Sequence, residues 1–182
     1  MLNEKHPCTI ICHDAEGKQL NIFVEPIISD PILYLFGGGH VSTCIVPLAH
    51  EVDFKVVVID DRPEFSDPVK FPEADEVHNY SFEGVMEKLP VNESSYLVIV
   101  TRGHVHDKTV LAQSLKTSAV YIGMIGSRRK ISIIYKKLME EGFSEKDIER
   151  VYSPIGIDIG AETPEEIAVS IVAELIKVRA GL

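Results

Sequence analysis

Two continuous runs of apolar residues constrain the fold of this chain more than any other feature of its sequence. They are residues 55–59 (Lys-Val-Val-Val-Ile) and 96–100 (Tyr-Leu-Val-Ile-Val). A run without polar alternation is typical of a strand that is buried on both faces, as in parallel sheets covered by helices. Stretches with helical patterns separate these runs. The sequence therefore predicts an α/β protein with a doubly wound parallel sheet.

The other segments extend this pattern. Parallel strands are predicted at residues 32–36, 55–59, 75–78, 96–100 and 119–122, and helices at 40–50, 81–88, 107–115 and 131–141. Pro47 is expected to kink or shorten the first helix, since proline lacks the backbone N–H. The last helix has clear start signals, with Thr163 as N-cap, Pro164 at the first helical position and Glu166 completing a capping box.

Three consecutive glycines lie between the first predicted parallel strand and its helix. Gly37 permits a tight turn, and Gly39 lets the backbone approach a phosphate at the N-terminus of the helix. Ser42 occupies the third fingerprint position, where Gly or Ala is usual. This arrangement predicts a Rossmann-like nucleotide site, and the residues expected to contact the ligand at this turn are Gly37, Gly38, Gly39, His40 and Val41.

An acidic residue ends the second parallel strand, where dinucleotide-binding folds place a ribose-binding carboxylate. Asp60 stands there, 23 residues after Gly37, and is followed by Asp61 and Arg62. A carboxylate in this position can accept hydrogen bonds from a ribose 2′- and 3′-hydroxyl pair. We include all three residues in the predicted cofactor site.

The segment before the glycines has a different pattern of residue types. Residues 8–12 and 20–24 read as β-strands joined by turn residues 14–18, and residues 26–31 read as a linker. We therefore predict an N-terminal β-hairpin and linker over residues 1–30 and a Rossmann-type domain over residues 31–182. Because an isolated hairpin is marginally stable in water, it is expected to pack on the main domain or on a missing N-terminal partner.

A basic segment follows the fifth predicted strand and opens a helix. Backbone N–H groups, a hydroxyl and three cations converge there, which suits a phosphate or another oxyanion, such as the phosphate of a pterin cofactor. The predicted contacts are Gly126, Ser127, Arg128, Arg129 and Lys130. The cluster is informative because the chain as a whole has a net charge of −10. That net charge argues against a general binder of nucleic acid or of membrane surfaces.

Polar residues also follow the fourth parallel strand, and the carboxyl ends of strands line the ligand crevice of an open α/β sheet. Thr101, Arg102 and His104 are predicted to contact the ligand, with Asp107 capping the next helix. A metal set of His104, His106 and Asp107 is an alternative, since imidazole and carboxylate are suitable ligands. We predict neither a metal site nor a catalytic residue.

The chain carries three cysteines, Cys8, Cys12 and Cys44. Their odd number makes a disulfide framework unexpected. Cys44, one turn into the first helix, is either a buried structural residue or a reactive thiol. No stretch approaches the ~20 apolar residues of a membrane span, and the first residues lack the pattern of a signal peptide. We predict a cytoplasmic protein.

Four segments, taken in this order, resemble the C-terminal Rossmann domain of the XdhC/CoxI family of xanthine dehydrogenase accessory factors. They are residues 58–65 (Val-Ile-Asp-Asp-Arg-Pro-Glu-Phe), 101–107 (Thr-Arg-Gly-His-Val-His-Asp), 121–130 (Tyr-Ile-Gly-Met-Ile-Gly-Ser-Arg-Arg-Lys) and 153–168, from Ser-Pro-Ile-Gly to Glu-Ile-Ala. The resemblance covers the chain from about Pro31 onward. The stretch up to Ile27 resembles the tail of the N-terminal domain that family members usually carry.

The resemblance implies an accessory factor with no catalytic role of its own. Such a protein would hold molybdenum cofactor (molybdopterin), support its sulfuration by a partner cysteine desulfurase and deliver it to a molybdenum hydroxylase of the xanthine dehydrogenase type. It also implies self-association, for example as a dimer.

Two other functions stay open, an NAD(P)-dependent oxidoreductase and a nucleotide-sensing regulatory module. The chain has no room for a separate substrate domain and no Tyr-x-x-x-Lys pair, which argues against the oxidoreductase. Residues 126–130 and the apolar, glycine-bearing loop that starts at Ser153 have no obvious role in a sensor. That loop is expected to cover a site, form a dimer contact or pack on the sheet.

Overall fold

The structure, a computed structural model, describes residues 7–25 and 30–182. Most of the predicted linker lies outside these residues. Strands β1 (Cys8–His13) and β2 (Gln19–Val24) form an antiparallel hairpin in which Cys12 pairs with Leu20. This confirms the predicted hairpin. Several apolar side chains on it are exposed, among them Ile11 and Phe23.

The main sheet has six strands, all parallel. They are β3 (Ile32–Phe36), β4 (Lys55–Asp60), β5 (Glu76–Asn79), β6 (Ser95–Ile99), β7 (Tyr121–Met124) and β8 (Val151–Tyr152). Their order across the sheet is β5-β4-β3-β6-β7-β8. The chain thus winds outward in both directions from the neighbouring strands β3 and β6. This confirms the doubly wound, Rossmann-like sheet, and it places the ligand crevice of such folds between the carboxyl ends of β3 and β6.

Helices cover both faces of the sheet. They are α1 (His40–Glu51), α2 (Gly103–Ser114), α3 (Arg128–Glu140), α4 (Glu145–Ile148) and α5 (Pro164–Arg179). Tyr34 and Phe36 point to the face where the apolar side chains of α2 and α3 pack, and Leu33 and Leu35 point to the face covered by α1 and α5. Because each face of β3 is buried, its sequence is apolar at every position. None of the helices in the described residues is long and apolar enough to cross a membrane.

Four local predictions need correction. Helix α1 continues through Pro47 to Glu51. Residues 81–88 form only a 3₁₀ turn, Val85–Lys88, because Gly84 adopts a left-handed conformation with a φ of 66°. Helix α2 begins at Gly103 rather than at residue 107. Strand β8 and helix α4 are absent from the sequence prediction, since two and four residues are too few to show a periodicity.

The loop that starts at Ser153 packs against α5. The backbone N–H of Gly156 donates to Glu174 Oε2 at 2.9 Å, and that of Ile157 donates to the Ser170 carbonyl at 3.2 Å. A Cβ at Gly156 would lie 2.3 Å from Ser170 Oγ. Three roles are expected for this loop. Its backbone contacts support packing onto the body of the domain.

Close packing requires two of the glycines in the turn after β3. Gly37 has a φ of 113°, and a Cβ there would lie 2.5 Å from the Val100 carbonyl oxygen. A Cβ on Gly38 would lie 1.8 Å from the carbonyl oxygen of Phe65, in the segment that follows β4. Around Gly39 there is open space. The segment after β4 therefore lies directly on the glycine turn.

Replacing Gly38 by alanine tests this contact. The Cβ would force Phe65 and its neighbours off the turn, so Gly38→Ala is expected to lower the free energy of unfolding by about 2 kcal/mol or more. Gly39→Ala is the matched control, because its Cβ meets no atom, and should cost less than about 1 kcal/mol. Urea unfolding of both variants measures the difference. Equal losses would contradict the described packing.

Candidate functional site

The predicted site residues come together at one edge of the sheet. Parallel strands end on the same side, so the segments after β3, β4, β6 and β7 are neighbours there. Hydrogen bonds join them in sequence, from the glycine turn to the segment after β4, from that segment to the one after β6, and from there to the start of α3. We call this set of four segments the carboxyl-edge crevice.

Asp60 joins the first two segments. Its side chain is almost completely buried, with 1% of the residue exposed. Asp60 Oδ2 accepts a hydrogen bond from the Gly38 N–H at 2.8 Å, and both carboxylate oxygens accept bonds of 2.9 Å from the Arg62 guanidinium. The Arg62 N–H also donates to Oδ1. Burial by itself would raise the pKa of Asp60, but the hydrogen bonds from Arg62 and Gly38 outweigh burial and hold the pKa below its usual value.

This geometry bears on the predicted role of Asp60. A ribose-binding carboxylate must present an oxygen to the ligand, whereas both Asp60 oxygens are engaged by the protein. The Gly38 N–H also points to Asp60, although the turn is expected to offer its N–H groups to a phosphate. The Arg62 guanidinium in turn lies over the Phe65 ring, 3.5 Å from its centroid. In this structure Asp60 acts as a structural anchor for the glycine turn.

Arg102 joins the segment after β4 to the segment after β6. Its guanidinium donates to Asp61 Oδ2 at 3.3 Å, and about half of the Arg102 side chain is exposed. Asp61 Oδ1 is buried, accepts no hydrogen bond within the described residues and lies 3.9 Å from Arg62 Nε. The Arg102–Asp61 pair therefore spans the crevice at its solvent-exposed side, where such a pair contributes little to stability.

A buried carboxylate joins the segment after β6 to helix α3. Asp107 is fully buried, accepts a hydrogen bond of 2.6 Å from Thr101 Oγ1 and forms an ion pair with Lys130 Nζ. Lys130 also donates to the Ile125 carbonyl at 3.4 Å. Burial raises the pKa of Asp107, and the hydrogen bonds from Lys130 and Thr101 oppose that effect. The predicted role of Asp107 as a helix cap is wrong, because α2 begins four residues earlier and Asp107 points inward.

Helix α3 begins at the crevice with the predicted basic segment. Ser127 is its N-cap, and its hydroxyl accepts a hydrogen bond from the Lys130 N–H at 3.3 Å. Arg128 and Arg129 are exposed, and neither guanidinium makes a hydrogen bond or ion pair within residues 7–25 and 30–182. The backbone N–H groups of a first helical turn have no partner inside the helix. This end of the crevice therefore offers two unpaired cations and free donors.

The residues proposed as alternative metal ligands are not arranged around a common point. His104 is exposed at the start of α2, His106 packs against Phe82 with ring centroids 5.4 Å apart, and Asp107 is turned to Thr101 and Lys130. Within the described part of the chain, no group of three or more His, Cys, Asp or Glu side chains could hold a metal ion.

Sequence reasoning misses two contributors to the crevice. Asp107 is predicted as a cap or, alternatively, as a metal ligand, although its spacing from Thr101 gives a usable signal once the helix start is placed at Gly103. Phe65 has no predicted role at all, and the role it has depends on a tertiary contact with Gly38 that no local pattern reveals.

The hydrogen bonds of Asp60 predict a specific pH dependence. Because the folded-state pKa is lowered, the carboxylate stabilises the fold above about pH 4, and this contribution is lost as the pH falls through the folded-state value. Asp60→Asn should lower the free energy of unfolding at pH 7 by about 1.5–3 kcal/mol and flatten its dependence on pH below 4. Urea unfolding at several pH values tests this, with the exposed Asp67→Asn as control. If the unfolding free energy of Asp60→Asn fell below about pH 4 as steeply as that of the unaltered protein, the stabilising role assigned to the Asp60 carboxylate would be contradicted.

The buried bond between Thr101 and Asp107 gives a second test. Thr101→Val removes the hydroxyl from a charged, buried acceptor and is expected to cost about 1.5–3 kcal/mol of unfolding free energy. Thr109→Val, on the same helix as Asp107, removes only an exposed 3.5 Å contact with Glu83 and should cost less than about 0.5 kcal/mol. Thermal unfolding distinguishes the two variants, and similar melting temperatures would argue against a strong buried bond.

Comparisons with known proteins find relatives that match most of this chain. The chain is 34% identical over 159 residues to a probable xanthine dehydrogenase subunit of Bacillus subtilis (strain 168), covering 87% of this chain and 46% of that protein. It is 32% identical over 164 residues to uncharacterized protein YqeB of Escherichia coli (strain K12), covering 90% of this chain and 30% of that protein. The chain therefore spans less than half the length of these relatives.

A solved structure shares both the fold and part of the sequence. The crystal structure of a xanthine dehydrogenase from Bacillus halodurans superimposes with a TM-score of 0.74 and 29% identity, over 93% of this chain and 48% of that one. The family model described as the XdhC Rossmann domain matches residues 33–175, which include the glycine turn, Asp60, Asp107 and the start of α3. The chain therefore belongs to the XdhC family, in which it corresponds to the Rossmann domain.

Proposed function

We propose that this chain is a cofactor-binding accessory domain that serves a molybdenum hydroxylase of the xanthine dehydrogenase type. Membership of the XdhC family and the names of two relatives support the connection with xanthine dehydrogenase. The ligand proposed for the carboxyl-edge crevice is a phosphorylated cofactor, with molybdopterin as the first candidate. Its phosphate would bind at the start of α3, on Ser127, Arg128 and Arg129.

The observation that carries this proposal is the distribution of charge among the helix N-termini. Helices α1, α2 and α3 begin at the crevice, and none has an acidic residue in its first turn. Helices α4 and α5 both carry acidic residues in their first turns and are closed by capping boxes. An acidic side chain normally stabilises a helix N-terminus. Its absence from all three helices at the crevice is expected where the helices must attract an anion.

The charged side chains of the crevice also favour an anion. Its four carboxylates, Asp60, Asp61, Glu64 and Asp107, are outnumbered by five cations: Arg62, Arg102, Arg128, Arg129 and Lys130. These side chains carry a net charge of about +1 in a chain of net charge −10. Three of these cations are paired with carboxylates. Of the five, Arg128 and Arg129 are the two that have no carboxylate partner within the described residues. A guanidinium can bind phosphate through two parallel hydrogen bonds.

The other residues predicted to contact the ligand differ in how free they are to do so. Lys130 is paired with the buried Asp107, so we assign it the role of holding α3 against α2 rather than that of a phosphate ligand. His104 and Arg102 remain exposed at the start of α2, and Arg102 is paired with Asp61. His40 and Val41 lie at the start of α1, beside the open space around Gly39.

The geometry gives less support to an NAD(P)-dependent oxidoreductase. Dinucleotide binding in this fold uses the glycine turn for the pyrophosphate and the carboxylate after the second strand for the ribose. Here Gly38 is covered by Phe65 and bonded to Asp60, and Asp60 is buried under Arg62. A dinucleotide would have to displace both contacts. The cysteine desulfurase partner, self-association and a cytoplasmic location remain predictions from the sequence.

The phosphate site is tested by removing its guanidinium groups. Arg128→Ala and Arg129→Ala are each expected to weaken binding of molybdopterin by about tenfold or more, since a hydrogen bond to a charged group is worth about 1.5–3 kcal/mol. Affinity of the unaltered protein should also fall as salt screens the charges. Isothermal titration calorimetry measures both effects. Lys146→Ala, on the distant helix α4, is the control for a lost surface charge.

Two results would decide against this site. If both arginine variants bind molybdopterin as tightly as the unaltered protein, the phosphate does not bind at the start of α3. If the unaltered protein binds NADH more tightly than molybdopterin, and Asp60→Asn abolishes that binding, the dinucleotide mode is the better description.

A further inference from the structure

A groove next to the proposed phosphate site has no role in the function described above. It lies between helix α3 and the loop that follows β8, and it has a volume of about 370 Å³. Its walls are mainly apolar and include Ile131, Tyr135 and Met139 from α3, with Pro154 facing them from the loop. The volume falls at the lower end of the range for small-molecule sites in proteins.

The groove and the phosphate site share a residue. Arg128 lines the groove and also belongs to the first turn of α3, where the phosphate is proposed to bind. From Arg128 the groove runs along α3 to Met139, about three turns away along the helix. A second cation, Lys136, lines its middle. The groove therefore has mainly apolar walls, one cation at the end next to the proposed phosphate site and a second cation along its length.

The polar groups of the groove are few. Ser153 Oγ donates to the Met124 carbonyl at 2.9 Å and is also hydrogen-bonded to Tyr135, so both hydroxyls have partners within the protein. The hydroxyl of Ser132 is exposed and makes no hydrogen bond within the described residues. One free hydroxyl among apolar walls suits a flat ring that has hydrogen-bonding atoms only along its edge.

We propose that this groove binds the heteroaromatic ring of a phosphorylated small molecule whose phosphate lies on Arg128 and Arg129. The ring packs between Ile131, Tyr135 and Pro154, the part of the groove within reach of a phosphate on Arg128, and its edge bonds to Ser132. This inference rests on the proposed phosphate site, but it adds a separate subsite that decides which phosphorylated compounds bind. Charge complementarity favours this occupant, since an anionic ring compound suits both the apolar walls and the two cations, Arg128 and Lys136, that line the groove.

Three probes separate the subsites. Inorganic phosphate reports on the start of α3 alone, whereas 6-hydroxymethylpterin phosphate and AMP each add a ring. Burial of about 60 Å² of apolar ring surface corresponds to about a tenfold gain in affinity, so one ring-bearing probe should bind about tenfold more tightly than inorganic phosphate. The comparison of the pterin with AMP identifies the kind of ring. All titrations use the full chain and isothermal titration calorimetry.

Filling the groove should remove the preference for a ring. Ser132→Trp places an indole in the groove and is expected to reduce the affinity for the preferred ring compound to that for inorganic phosphate, while phosphate binding is unchanged. Ile133→Trp is the matched control, because Ile133 is the next residue on α3, is exposed and does not line the groove. Met139→Trp fills the distal end and serves as a second variant. Retained phosphate binding shows that each variant is folded.

The outcomes distinguish this proposal from the one on which it rests. If the unaltered protein binds phosphate through Arg128 but prefers neither ring compound, the ring subsite is wrong and the phosphate site stands. If Ser132→Trp and Met139→Trp keep the full preference for a ring, the ring binds elsewhere. If inorganic phosphate does not bind at all, both proposals fail. Tight binding of an acidic, aromatic peptide in place of the ring compounds would assign the groove to a protein partner.

Discussion

The buried carboxylate of Asp60 is the interaction on which the arrangement of the crevice depends. It accepts the Gly38 N–H and three hydrogen bonds from Arg62, and Arg62 in turn lies over Phe65. These contacts hold the segment after β4 against the glycine turn so closely that only glycine fits at position 38. A carboxylate so deep in the protein is tolerated because every one of these bonds stabilises its charged form. One residue therefore determines the conformation of two of the four segments that form the crevice.

This anchoring has a consequence for where a ligand can bind. When Asp60 and the Gly38 N–H satisfy each other, the half of the crevice next to β3 and β4 has fewer free donors for a phosphate. The other half keeps them, since Arg128 and Arg129 at the start of α3 are unpaired within the described residues. The buried pair of Asp107 and Lys130 fixes α3 to α2 and so holds those arginines in place. The glycine motif is thus engaged in packing in this structure, and the unpaired cations lie on the other side of the crevice, at the start of α3.

The sequence predicts the architecture well because the signals of this architecture are local. Each of these signals depends only on residues that are close together in the sequence. They are the continuous apolar strands, the Thr163 capping box and the Gly37 turn, and each lies where it is expected. Errors arise where a single backbone conformation or a tertiary contact decides the outcome. The left-handed Gly84 prevents a helix over residues 81–88, and Gly103 starts α2 early enough to bury Asp107. The contact between Phe65 and Gly38 is unpredictable in the same way, because the two residues lie in different segments.

The role of a residue type in a motif therefore depends on which donors the fold leaves free, and not on the motif alone. A glycine turn followed by a strand-terminal aspartate is usually a sign of a dinucleotide site. In this chain Arg62, two positions after that aspartate, supplies a guanidinium that reaches back and occupies both carboxylate oxygens. In this structure that arginine, together with Phe65 three positions later, engages the motif in internal packing. The ligand chemistry of such a chain is then better inferred from the first turns of its other helices, where acidic residues are absent and cations lack partners.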